Sequence, residues 1–374
     1  MIEAVLRFVF IVLPMAMTTL VTMLRQPFSP FLQHGGGNVN AAFFIFGDSL
    51  LDAGNNDYLN ISIKANHWPF GETFFHYPTG RVCDGRIPPD FIAEHAGLPF
   101  IKPYLQPNFT DYTDGANFAS SGAGVLRQTS PDVLYLELQV SFFEEVTKRL
   151  KRQKGNNHVQ KLISEAVYHI GIGGDDYMSF DNASMYSNTT ISPVEKEVFV
   201  SWVIGNLTIY IKKVHELGGR KFFFQNVGPI GCLPSVRYDA GIDGCWKDAN
   251  ILAQMHNVAL SRLLPELEKE MVGFKYVLFD YYTMLLERIF NNSEYGFQVG
   301  KSACCGSGAY NGKFSCGIKG EEFTLCPDPN VFVFFDSAHP TEAANKQLSW
   351  LMWNGEPPVT RPRNLKSLFE VPLD

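Results

Sequence analysis

Four short apolar runs, each stopped by small or polar residues, constrain this chain more than any other feature. Phe43–Phe46 stops at Gly47, Val167–Ile172 at Gly173–Gly174, and Lys221–Val227 at Gly228–Pro229; Phe274–Asp280 makes the fourth. Between them lie long amphipathic stretches near Glu137–Arg152, Glu195–Leu217 and Asp248–Met271. Runs without polar alternation, separated by helix-length segments, are the pattern of a parallel sheet buried on both faces. The expected fold is α/β, a three-layer α/β/α sandwich with a central parallel sheet. No repeat and no Pro/Ser-rich linker divides 41–374, so these residues read as a single domain.

Composition agrees with a packed core: 45% of residues are hydrophobic, 18% charged, and the 31 Phe, 15 Tyr and 5 Trp supply large buried rings. A formal charge of −7 with no Lys/Arg stripe gives no footprint for nucleic acid.

The first 25 residues read as a signal peptide. Phe8 to Leu24 carries no charge and is flanked by Arg7 and Arg25. Its length falls short of the roughly 20 residues a bilayer span needs, and Pro14 suits a spanning helix poorly. An uncleaved anchor is the rival reading, since no clean cleavage site is visible. Residues 26–40, with Gly35–Gly36–Gly37, read as a flexible leader. Secretion to the extracellular space is further suggested by six Asn-x-Ser/Thr acceptors, at Asn60, Asn108, Asn182, Asn188, Asn206 and Asn291, against roughly two by chance. Of the seven cysteines, six lie in the C-terminal half. Cys232 and Cys245 would close a short loop. Vicinal Cys304 and Cys305 would be strained as partners, leaving Cys316 and Cys326 as their mates and Cys83 as the odd thiol. A zinc site is the weaker alternative, for want of a Cys-x-x-Cys pair or nearby His.

Ligands of such sheets bind beyond the carboxyl ends of the strands. Those ends here read Gly47–Asp48–Ser49, Gly173–Gly174–Asp175–Asp176 and Asn226–Val227–Gly228–Pro229. A serine at a strand-to-helix turn can sit at a helix N-terminus whose amides stabilise negative charge; the bland alternative is that Asp48 and Ser49 cap that helix. Near the other end, Asp336 and His339 are spaced to give an imidazole held in one tautomer, ahead of a helix-like Thr341–Trp353. Otherwise His339 is the cap before Pro340 at N1. The Gly115–Gly124 segment could aim amides at an oxyanion or be a tight turn. No Gly-x-Ser-x-Gly elbow and no phosphate loop occur.

In order, these segments, with Tyr77-Pro78-Thr79-Gly80-Arg81, Asn226 to Cys232 and Cys304-Cys305-Gly306, resemble the blocks of the plant GDSL esterase/lipase family, part of the SGNH hydrolase superfamily. The match runs from Phe44 to about Leu348. The resemblance implies a secreted serine hydrolase of acyl esters or lipids, working through an acyl-enzyme with no metal or cofactor. By position, Ser49 resembles the nucleophile, His339 the general base and Asp336 the residue that orients it. Gly122 and the Ser49 amide correspond to the oxyanion hole. One block departs: the family's Gly-x-Asn-Asp reads Gly173-Gly174-Asp175-Asp176, with Asp175 where an Asn would donate to the oxyanion. An ionised carboxylate has no donor, and a lost donor costs about 2.7–4 kcal/mol. Two expectations follow: a weak or acid-shifted esterase with neutral Asp175 as donor, or a binding or modifier protein that kept the fold and lost turnover. The aromatic stretch His67–Tyr77 lines an acyl pocket or simply packs. The Glu144–Lys154 charge run reads as a solvated face, and Tyr281–Tyr282 and Phe222–Phe224 as core. Acyl length, alcohol group and oligomeric state stay open.

Overall fold

The computed structural model describes residues 41–187 and 191–372; residues 1–25, 26–40 and Asn188, on which the signal-peptide, leader and one glycosylation reading fall, lie outside them. Five parallel strands, β1 (Phe43–Gly47), β2 (Gly115–Asn117), β3 (Val167–Gly171), β4 (Lys221–Gln225) and β5 (Lys275–Phe279), lie in the order β5-β4-β3-β1-β2. Thr360–Arg361 adds an antiparallel edge beside β5. Phe43, Val167, Lys221 and Lys275 stand in register, so the strands also end together. The expected parallel sheet is present, with four of its strands within two residues of the apolar runs.

The described residues also form ten α-helices, α1 (Pro88–Ala96), α2 (Leu136–Lys154), α3 (Asn156–Glu165), α4 (Gly174–Ser187), α5 (Pro193–Glu216), α6 (Pro234–Ala240), α7 (Lys247–Glu270), α8 (Tyr281–Phe290), α9 (Glu342–Asn354) and α10 (Leu365–Glu370), with short 3-10 turns and two small two-stranded sheets between them. Sequence sets their ends. Ser192 and Glu195 form a reciprocal capping box around Pro193 at the start of α5.

Why the strands lack polar alternation is visible in β1. Phe44 meets Phe143 of α2 on one face, while Phe43 meets Phe369 of α10 on the other. Phe222–Phe224 are core, as expected, and so is Tyr281; Tyr282 is only half-buried. Residues Lys151–Lys154 at the end of α2 are fully on the solvent side.

Chain order reverses at β1, which has β2 on one side and β3 on the other, so a crevice opens at its carboxyl end. Two expectations there need correction. Ser49 does not begin a helix: residues 48–51 form a turn in which Asp48 accepts from the Leu50 amide, and the next helical turn, Asn55–Tyr58, starts later. His339 is not a helix cap. Thr341 caps α9, accepting from Ala344, and Pro340 bridges to Phe334.

Candidate active site

The turn that carries Ser49 is built by its neighbours' side chains. Asp52 accepts from the amides of Gly54 and Asn55 and from the amide and hydroxyl of Ser121. Asn55 donates to the carbonyls of Asn117 and Ala119, and Asn56 to that of Ser121. These bonds tie the Ser49 turn to the 117–122 segment, which begins as the short strand β2 and then runs alongside β1. Gly122 stands there at φ +83°, a conformation L side chains rarely adopt.

His339 reaches this turn from the far end of the chain. Its Nε2 lies 2.7 Å from Ser49 Oγ. Its Nδ1 lies 2.7 and 3.0 Å from the two carboxylate oxygens of Asp336. Asp336 is buried, and its Oδ1 also accepts from the amides of Ala338 and His339. Burial works to lower the His339 pKa, but the charge and hydrogen bond of Asp336, with Asp175 behind them, hold it above the ordinary 6.5.

Across the cavity the electrostatics reverse. Asp175, in the first turn of α4, accepts no hydrogen bond among the described residues. Burial, followed by the charges of Asp48 and Asp176, pushes its carboxyl well above the usual range. Burial and Asp176 likewise push Asp48 up to about 7, against the Leu50 amide, which lowers it. Asp176 fares differently: the amides of Val125 and Leu126 and the Thr129 hydroxyl all donate to it, yet burial still holds it at about 6.

Ser49, Gly122, Asp175 and His339 share one cavity of about 370 Å³, whose apolar lining includes Ile172, Met178, Val227, Ile230 and Leu285. Of the aromatic stretch His67–Tyr77 only Phe70 lines it; Trp68 and Tyr77 point to solvent, and Phe75 packs on Phe100. Sequence reasoning missed Phe314, which the Cys305–Cys316 disulfide loop carries to the cavity. The other bridges are Cys232–Cys245 and Cys304–Cys326, with Cys83 a buried free thiol. The six expected cysteines are therefore the paired ones.

A serine hydroxyl on an imidazole that is itself on a carboxylate, at the carboxyl edge of a parallel sheet, is the arrangement of a serine hydrolase. Residues 43–350 match the family model described as GDSL-like Lipase/Acylhydrolase, and the chain belongs to that family of ester hydrolases. It is 44% identical to a GDSL lipase of Tanacetum cinerariifolium, with 88% of each chain covered. It is 44% identical to GDSL esterase/lipase 4 of Arabidopsis thaliana, covering 88% of this chain and 91% of that one. It is also 39% identical to an Arabidopsis thaliana protein named as an inactive GDSL esterase/lipase-like protein, covering 88% of this chain and 75% of that one.

Proposed function

We propose that Ser49 is the nucleophile of a secreted esterase or lipase acting through an acyl-enzyme. The observation that carries the reading is the 2.7 Å contact between Ser49 Oγ and an imidazole already fixed by Asp336. His339 Nε2 takes the Ser49 proton as Oγ attacks the ester carbonyl, and then passes it to the departing alcohol oxygen. The same nitrogen then takes a proton from water as its oxygen attacks the acyl carbonyl, and gives that proton to Ser49 Oγ as the acyl bond breaks and the carboxylic acid leaves. The amides of Ser49 and Gly122 donate to the oxyanion; neither donates a hydrogen bond elsewhere among the described residues. The apolar cavity walls take the acyl chain.

Asp175 joins the oxyanion hole as a neutral acid. Protonated, it offers one O–H donor. Ionised, it would face the oxyanion at roughly 3 Å, costing about 5 kcal/mol at an effective dielectric near 20. Its neighbours Asp48 and Asp176 favour the neutral form. Active enzyme is then the species with a proton on Asp175 and none on His339, which gives an acid-shifted profile.

Secretion rests on the three disulfides and on exposed acceptors at Asn60, Asn108 and Asn291. Asn182 and Asn206 are half-buried on helices. No described helix is long and apolar enough to cross a membrane.

The test is hydrolysis of short and medium p-nitrophenyl esters by disulfide-formed protein beside Ser49→Ala. Loss of turnover in Ser49→Ala supports the reading. Equal rates in both, from folded protein, would overturn it in favour of a binding or modifier protein, the reading that an ionised Asp175 would fit.

A further inference from the structure

Ser49 and His339 are 290 residues apart in sequence, and two different loops carry them. One segment, Gly80 to Asp90, touches both. At its near end Gly80 lies face to face with Gly54 of the Ser49 turn. A Cβ on Gly80 would come 2.5 Å from Gly54 Cα, and one on Gly54 would come 2.6 Å from the Thr79 carbonyl oxygen. Arg81, buried, donates from Nη1 to the Ala53 carbonyl and grips Asp90 with two parallel bonds of 2.8 and 2.7 Å. Asp90 in turn accepts from the Ile87 amide at the start of α1.

At its far end the segment holds the start of α9, directly after His339. Asp84 accepts from the Glu342 amide at 2.8 Å, and Glu342 accepts from the Arg86 amide at 2.8 Å. The Arg86 guanidinium forks between Glu342, at 2.7 Å, and Glu94, at 2.9 Å, while lying over the rings of Phe74 and Phe91. Asn345 donates to the Arg86 carbonyl. The approach is close: a Cβ on Gly85 would fall 1.8 Å from Glu342 Oε2 and displace that carboxylate.

We propose that the Gly80–Asp90 segment is a positioning strut that sets the Ser49–His339 separation, with the Arg86–Glu342 pair as its lock on the histidine loop. Arg86 holds both oxygens of Glu342, Nε and Nη2 donating to Oε1 and the backbone amide to Oε2, which fixes direction as well as distance, and a misplacement of about 1 Å at the reacting atoms can cost about a hundredfold. Arg86 and Glu342 touch no reacting atom and act only through the backbone that carries His339. The proposal rests on the reading of Ser49 and His339 given above.

The test uses Glu342→Gln and Arg86→Lys, which keep side-chain size or charge but lose the fork, in disulfide-formed full chain. Rates are read well below each variant's Tm, with Lys212→Ala, which loses an exposed ion pair with Glu270, as control. The charged groups around His339, namely Asp336 on its own loop and Asp48 and Asp175 across the cavity, are untouched. The expected result is a kcat about tenfold lower with KM within about twofold. The His339 imidazole, followed by NMR, titrates at lower pH as its contact with Asp336 loosens. A role in folding alone would lower Tm and leave kcat and the His339 titration in place in both variants, and that result overturns the proposal. Should wild type and Ser49→Ala show equal turnover, the esterase reading fails while the titration still decides the strut: a shifted His339 supports it, an unshifted one overturns it.

Discussion

Asp336 and Asp175 flank the same serine–imidazole pair, and their surroundings are opposite. Asp336 accepts from two backbone amides and from the imidazole, so its charge is met on every side. Asp175 accepts nothing among the described residues and faces Asp48 and Asp176, so burial drives it toward the neutral acid. Asp336, held by donors, is placed to orient the imidazole, whereas Asp175, which meets no donor among the described residues and sits beside two other carboxyls, is fit to serve as a donor itself. The difference lies in the partners rather than in the residue type.

The largest expected effect breaks the Asp336 half. Asp336→Asn cannot hold the imidazole in the right tautomer, and kcat should fall by about 10⁴; a fall of less than tenfold in steady-state assays would place Asp336 outside the chemistry. Next, Asp175→Asn supplies a permanent donor. Above the pH at which Asp175 ionises, the variant's kcat/KM should exceed wild type by about 10², the size of one oxyanion donor, and below that pH the two should converge.

Stability sharpens the contrast more gently. Asp48, at about 7, and Asp52, Asp84 and Asp176, at about 6, all hold protons in the folded state that the unfolded chain releases near pH 4. The folded state binds more protons in that window, so stability is greatest below about pH 4 for these groups and declines as pH rises toward 7. Calorimetry should show Tm falling over that range, and Asp48→Asn should flatten the slope. Smallest of all is Lys212→Ala: its pair with Glu270 is solvent-exposed at 3.2 Å, and urea unfolding should move by no more than about 0.5 kcal/mol.

Four strands were legible because a strand covered on both faces must be apolar throughout, as Phe43–Phe46 is. β2 was not, because Gly115–Ala116–Asn117 has no apolar face; Asn117 is there for its side chain, which donates to the Leu51 carbonyl. The two-residue edge at Thr360–Arg361, followed by Pro362, carries too little pattern to read. Ser49 was placed at a helix start because Asp48–Ser49 resembles a cap. Asp52 instead takes up the local amides and holds a turn. The Ser49 segment could be picked out because it stands at the end of an apolar run, and Asp336 and His339 because a carboxylate three residues from an imidazole can fix its tautomer. The strut could not, since Arg86 and Glu342 are 256 positions apart and nothing in the pattern of either segment pairs them.

The most direct measurement is the pH profile of kcat/KM, from about pH 4 to 9, for wild type beside Asp175→Asn. If Asp175 acts as a neutral donor, wild type rises as His339 loses its proton and falls again as Asp175 ionises, whereas Asp175→Asn rises to a plateau. Two superimposable curves, each rising once with a single histidine-like midpoint, would contradict it.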